Sequence, residues 1–190
     1  MSQLMNLASV VVLAAIGTGA YFGSSDAAMG DYLSLPDPVF EDGVALGKSE
    51  FVHTVSGPGH GYLLQSGDAV INGLRVGSIE ISPPMPDCGE AAWVRVHLED
   101  PSEQLGESEY GPVFQTYDFT VSAFAITPAG IHIRAHHEAR GAFELIGSYA
   151  EGQLAVWQSD PDAMDTLLIA EVTVGEVTVS DVTLGFWIGD

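Results

Sequence analysis

From residue 50 onward, the chain consists of short runs in which apolar and polar residues alternate, separated by Gly, Pro and Asp. This period of two constrains the fold more than any other feature, because alternation gives a strand one buried face and cannot give a helix its apolar stripe. Val94, Val96 and Leu98, for example, would share one face of a strand. Since no stretch has the spacing of a long amphipathic helix, the sequence predicts an all-β fold.

The predicted strands divide this region into eight or nine segments joined by connections of variable length. They cover residues 50–55, 69–76, 78–82, 92–98, 113–126, 130–136, 142–149, 153–158 and 167–188. Strands of this number and spacing predict a β-sandwich or barrel. We therefore expect a single jelly roll over residues 50–190, with an immunoglobulin-like sandwich as the alternative.

The last predicted strand contains a near-repeat with a period of five residues. Its three copies begin at Val172, Val177 and Val182. An odd period would turn the valines to the opposite face of a continuous strand, unless a turn or a bulge intervenes. We therefore expect a hairpin or a bulged strand near residues 175–176 and 180–181.

The N-terminal segment, residues 1–28, differs from the rest of the chain because it has no charged side chain before Asp26. Residues 4–22 are largely apolar, and as a helix this run would measure about 28 Å, close to the thickness of a bilayer core. The segment is therefore a membrane anchor, a cleaved signal or a helix buried between subunits. A signal should begin with basic residues, yet the first one is Lys48.

The hydrophobic N-terminal segment would contact lipid or a neighbouring subunit through its large apolar side chains. These are Leu4, Leu7, Val10, Val11, Val12, Leu13, Ile16, Tyr21 and Phe22. A turn-rich connector, residues 29–49, would then lead into the β domain.

The charge of the chain is unusual because basic residues are scarce: 26 Asp and Glu face only 5 Lys and Arg, for a net charge of -21. Such a charge weakens a compact state unless salt screens it. This composition indicates a halophile, most simply an archaeal one, with an ordinary acidic surface protein as the alternative. The acidic run 99–109 would be a solvated loop. Because the few basic residues are scattered, we expect no nucleic-acid partner.

Potential reactive groups give no recognisable active site. His132 and His136 would share a strand face, but Arg134 between them would repel a cation, so we expect a solvated or intersubunit face. Residues 160–171 resemble a calcium loop only superficially, since the required glycine is absent. Cys88 is the only cysteine and excludes an intrachain disulfide. We therefore expect no catalytic, cofactor or metal site and no small-molecule substrate.

The overall design resembles a known family of structural proteins. A lysine-poor acidic β domain, an uncharged apolar N-terminus and a C-terminus that ends within the predicted sheet, at 183–190, are similar to the smaller single-jelly-roll major capsid protein of haloarchaeal icosahedral viruses with an internal membrane. This resemblance implies a virion protein without catalytic residues. Its implied partners are copies of itself, a larger paralogous capsid protein and the viral membrane, which the N-terminal segment would face.

A second resemblance rests on residues 17–26, Gly-Thr-Gly-Ala-Tyr-Phe-Gly-Ser-Ser-Asp. They are similar to the end of the signal peptide in secreted biofilm-fibre and camelysin-type proteins, although Ala27 and Ala28 depart from that pattern. This resemblance implies an archaeal fibre, pilus or cell-surface subunit whose N-terminus is removed. The mature N-terminus therefore distinguishes the two hypotheses.

The charge imbalance predicts that salt stabilises the fold. Lowering KCl from about 3 M to about 0.1 M lengthens the Debye screening distance from below about 3 Å to about 10 Å, so the repulsion among the acidic side chains increases. The melting temperature, followed by circular dichroism, should therefore fall. Equal melting temperatures at the two salt concentrations would contradict the halophile interpretation.

Overall fold

The computed structural model of the protein describes residues 50–57, 60–109, 111–160 and 164–189. These residues form nine strands and one short helix. The elements are β1 (Phe51–His53), β2 (Gly61–Ser66), β3 (Arg75–Ser82), β4 (Trp93–Ser108), β5 (Gly111–Thr127), β6 (Gly130–His137), β7 (Gly141–Tyr149), α1 (Gln153–Ser159), β8 (Met164–Val174) and β9 (Val177–Trp187).

Eight of the strands form a closed antiparallel barrel. From β2 to β9, each strand pairs with the next strand in the chain, and β9 pairs with β2 to close the barrel. The remaining strand, β1, pairs in parallel with β5 and, among the described strands, with no other. The prediction of an all-β fold is confirmed.

The order of the strands around the barrel follows their order in the chain, which is an up-and-down arrangement. A jelly roll or an immunoglobulin fold instead needs Greek-key connections between strands that are not neighbours. The described strands do not have that connectivity. The alternation of apolar and polar residues determines which side chains are buried, but it does not determine which strands pair. In this chain, consecutive strands from β2 to β9 pair antiparallel with each other, which gives the up-and-down order.

The predicted strands differ from the structure at 153–158, at 69–76 and at β2. The predicted strand 153–158 is helix α1, because a short apolar run fits either period. Predicted strand 69–76 contains a tight turn, since Asn72 and Gly73 adopt φ angles of 50° and 80°, as Asn-Gly does in type I′ hairpins. Strand β2, Gly61–Ser66, was not predicted, because its alternation is weak.

The C-terminal near-repeat folds as the sequence predicts. Val174 pairs with Val177 across a two-residue turn that begins at Gly175, whose φ is 62°. The register then shifts, because Ala170 pairs with Val182 and Val172 with Val179. Asp181, with a φ of 60°, lies within this irregular part of β9. A hairpin and a bulge therefore both occur at the positions expected, and they keep the valines at 172 and 182 in the core.

Side chains fill the inside of the barrel, as expected for eight strands. At one end, Trp157 of α1 is fully buried and contacts the rings of Phe186, edge-on, and Tyr149, with centroids 5.4 Å and 5.8 Å away. At the other end, Ile71 and Leu74 are 1% exposed. Between them lie the inward-facing residues Leu63, Ile79, Ile81, Val96, Leu98, Ile126, Ile131, Ile133, Phe143, Leu145, Leu168, Val172 and Leu184.

Two strands are much longer than the wall of the barrel. β4 pairs with β3 only as far as Glu99, and β5 pairs with β6 only from Thr120 onward. Residues 100–108 of β4 and 111–118 of β5 continue as a two-stranded extension, which we call the hairpin arm. The acidic run 99–109 is therefore mostly strand and not the loop that its charge predicts.

Two arginines hold the base of the hairpin arm. On one side, Arg75 donates to Glu99 through Nη2 at 2.7 Å, and its guanidinium lies 4.8 Å from the centroid of the Phe114 ring. On the other side, Arg140 donates to Asp100 at 3.3 Å and to the Tyr117 hydroxyl, and it lies 4.1 Å from the centroid of the Tyr117 ring. Both strands of the arm are thus fixed to the barrel.

We predict that Gly185, in the strand that closes the barrel, cannot be replaced by a larger residue without loss of stability. A Cβ on Gly185 would lie 2.5 Å from the Met164 carbonyl oxygen. Because this oxygen belongs to the backbone, the clash could be relieved only by moving the strand. We expect Gly185→Ala to lower the free energy of unfolding by about 1–3 kcal/mol, measured with urea in molar KCl. The control is Gly106→Ala, since no described residue has an atom within 4 Å of its Cβ position. If both variants unfold at the same urea concentration, the closure does not depend on this contact.

Candidate functional site

The sequence-predicted contact residues lie outside the described part of the chain, so the structure does not test them. These are Leu4, Leu7, Val10, Val11, Val12, Leu13, Ile16, Tyr21 and Phe22. Among the described residues, no helix has the length and apolar character needed to cross a membrane. The candidate site that the structure itself provides is on the outer wall of the barrel.

Four aromatic side chains form a continuous surface, which we call the aromatic platform: His60, Tyr62, Trp93 and Trp187. Tyr62 of β2 is directly opposite Trp187 of β9, and Trp93 begins β4. The residues that alternate with them, such as Leu63 and Phe186, point into the core. The platform therefore lies on the outside of the wall, at the end where β4 begins.

The rings of the platform touch in sequence. The centroid of His60 is 5.5 Å from that of Trp93 and 5.4 Å from that of Tyr62, and Tyr62 is 5.7 Å from Trp187. Trp187 remains 38% exposed. Large rings held by neighbouring rings offer apolar contact area with little entropy left to lose on binding.

One basic side chain completes the aromatic platform. Arg95 lies 4.5 Å from the centroid of the Trp93 ring, and its Nη1 donates to Glu80 at 3.2 Å. Glu80 also lies 3.1 Å from Nε2 of His60. The Arg95 side chain is 64% exposed, against 26–32% for the other three arginines. Trp, Tyr and Arg are the residues that most often dominate protein–protein interfaces.

A second polar cluster lies on β6 and β7. Nε2 of His132 and Nε of Arg134 both donate to the same Glu144 oxygen, at 2.7 Å and 2.9 Å. The hydrogen bond from His132, followed by that from Arg134, lowers the pKa of Glu144 although its partial burial acts to raise it. His132 is only 1% exposed, so the predicted solvated face is wrong for this residue, whereas His136 is exposed.

The described residues contain no group of three His, Cys, Asp or Glu side chains that could hold a metal ion. Arg134 shares the carboxylate of Glu144 with His132, so a cation there would meet a guanidinium. Cys88 is exposed in the turn between β3 and β4. That the protein has no catalytic, cofactor or metal site remains a prediction from the sequence.

The sequence analysis did not find the aromatic platform, although the alternation that buries Val94 and Val96 also puts Trp93 and Arg95 together on the opposite face of the strand. Tyr62 lies in the strand that was not predicted, and its contact with Trp187 depends on barrel closure. No family model, no curated protein and no solved structure matches this chain. The chemistry of the outer surface is therefore what indicates a function.

The lowered pKa of Glu144 predicts a pH-dependent contribution to stability. A carboxylate with a depressed pKa stabilises the fold above its unfolded value, near 4.5, and loses that contribution as the pH falls through the folded value. At pH 7 we expect Glu144→Gln to lower the free energy of unfolding by about 1–2 kcal/mol. The difference from the wild type should shrink below about pH 4.5.

Urea unfolding at each pH measures this effect, with the exposed Glu138→Gln as a matched control that also removes one negative charge. The control corrects for the general relief of acidic repulsion as carboxylates are protonated. A difference between the wild type and Glu144→Gln that is constant from pH 7 to pH 3 would contradict the role of the Glu144 charge.

Proposed function

We propose that the protein is a structural, self-associating β-barrel subunit that works at high ionic strength. The observation that carries this proposal is the aromatic platform with Arg95, an exposed surface of the composition found at the centres of protein interfaces. The barrel interior is filled by side chains, so it does not resemble the open interior of a ligand-carrying barrel. The outer surface is then the part available for function.

A membrane is the second partner in this proposal. The uncharged run over residues 4–22 has the length and composition for contact with lipid or with an apolar groove of a neighbouring subunit. Its apolar side chains would each contribute about 1.5–3 kcal/mol when buried. Several of them together are enough to hold a subunit on its assembly.

The first assembly that we propose is a capsid shell over an internal viral membrane, built with a larger paralogous capsid protein. The acidic, lysine-poor composition and the apolar N-terminus support it. The up-and-down strand order removes the jelly-roll part of the resemblance. This proposal therefore depends on the composition, the N-terminal segment and the exposed platform.

The second candidate is an archaeal cell-surface or fibre subunit. The strand order favours it, because such a subunit requires an exposed acidic β domain but not a jelly roll. The two candidates differ in where the protein is found and in its mature N-terminus. In a virion the N-terminal segment stays attached, whereas in a secreted subunit cleavage would leave a chain that begins near Met29.

Fractionation of a culture of the source organism tests both candidates. An antibody against the barrel follows the protein through a density gradient, and intact mass spectrometry determines its N-terminus. A whole chain in released, lipid-containing particles supports the capsid, and a chain beginning near Met29 in the cell envelope or in filaments supports the surface subunit. A protein found only as soluble monomer in every fraction would contradict the structural proposal.

The membrane part of the proposal predicts the effect of a charge in the N-terminal run. Val12→Asp would place a carboxylate at the middle of the segment, at a cost of about 2.5–3.5 kcal/mol by insertion scales. We expect its incorporation into particles or envelope to fall, while the circular dichroism of the β domain is unchanged. Val12→Leu is the control and should be incorporated normally, and equal incorporation of Val12→Asp would contradict lipid or subunit contact by this run.

A further inference from the structure

We propose that the hairpin arm of one copy docks on the aromatic platform of a second copy, so that subunits join head to tail. This inference rests on the self-association proposed above and names the surfaces that carry it. The occupant of the platform is then a defined part of this same chain, residues 100–108 and 111–118.

The hairpin arm and the aromatic platform lie at opposite ends of one strand. β4 begins at Trp93 and Arg95 on the platform and runs through the barrel wall into the arm, where Leu105 lies. Ten residues of strand span about 30 Å, less where bulges shorten it. Arg75 and Arg140 fix the base of the arm to the far end of the barrel. The arm is therefore directed away from the platform of its own copy.

The arm exposes large apolar side chains to solvent, which does not stabilise a free monomer. Leu105 is 61% exposed and Val113 is 43% exposed. Gln104 pairs with Phe114 and Gly106 pairs with Val113, so Leu105 is an extra residue between two pairs and forms a bulge. A bulged leucine on a narrow extension is exposed and can pack against the rings of a partner.

The arm carries exposed carboxylates, and the platform carries an exposed guanidinium whose own partner, Glu80, is mostly buried. Glu103 and Glu107 are exposed on the same strand of the arm as Leu105, and Arg95 is the most exposed of the four arginines. Two platforms facing each other would instead bring two copies of Arg95 together. In molar salt the long-range repulsion between copies is screened and an exposed ion pair is weakened, so apolar contacts carry most of the docking energy.

Side chains, and not an added strand, would make this contact. The outer edge of β4 in the arm carries Pro101, which has no N–H to donate, and the register is irregular between Asp100 and Gly106. Both features protect an edge from pairing with another strand. Docking of the arm on the platform therefore buries rings and apolar side chains without extending the barrel sheet.

Because the two surfaces differ, the interface is heterologous, and repeated contacts form rings or open chains of subunits. Such an interface can be tested by complementation. We choose Leu105→Asp to damage the arm and Trp187→Glu to damage the platform. The full-length chain in a non-ionic detergent and about 3 M KCl, to screen repulsion, is studied by sedimentation velocity over a range of protein concentrations.

The wild type should form a series of species larger than the monomer. Each variant alone should need about tenfold or more protein to associate. An equal mixture of the two should form a pair and no larger species, because only one intact arm and one intact platform can meet. Val177→Glu is the matched control, since Val177 lies on the same strand as Trp187 with a similar exposure, 41% against 38%, and it should behave as the wild type.

Urea unfolding of each variant checks that it folds, and Arg95→Gln replaces Trp187→Glu as the platform variant if that one does not. If the wild type associates and both variants associate equally well, the docking inference is overturned but self-association stands. A mixture that fails to pair also overturns it. A wild type that stays monomeric at every concentration overturns the docking inference and contradicts the proposed self-association as well.

Discussion

Closure of the barrel by β2 and β9 is the constraint on which the rest of the structure depends. Five residue pairs, from Tyr62–Trp187 to Ser66–Thr183, join the second strand to the last and leave the barrel without an open edge. The seam needs two glycines, because the Phe186 ring covers Gly61 and the backbone of Met164 covers Gly185. The same pairing creates the aromatic platform.

The sequence predicted the buried faces well but not the order of the strands. Val94, Val96 and Leu98 are buried as alternation requires, and the near-repeat forms its hairpin and bulge. The platform could not be predicted, because Tyr62 and Trp187 meet only when distant strands close a barrel. Local pattern determines which side chains face the core, whereas pairing between distant strands depends on the whole chain.

The four arginines of this acidic chain all make ion pairs, and most also contact aromatic rings. Within the described part of the chain, each forms an ion pair with a carboxylate: Arg75 with Glu99, Arg95 with Glu80, Arg134 with Glu144 and Arg140 with Asp100. Three of them also lie over an aromatic ring, an arrangement that suits a planar, weakly hydrated guanidinium better than an ammonium group. Two hold the arm and one belongs to the platform, so most of the basic side chains serve the surfaces proposed for assembly.

The burial of Trp157 at one end of the barrel has an optical consequence. Of the three tryptophans in the chain, Trp157 is fully buried, whereas Trp93 and Trp187 belong to the platform. Fluorescence from the buried indole reports on the integrity of the barrel, and quenching by a solute such as acrylamide reports on the two surface indoles. Loss of the fold and occupation of the platform therefore give separate signals from one protein without a label.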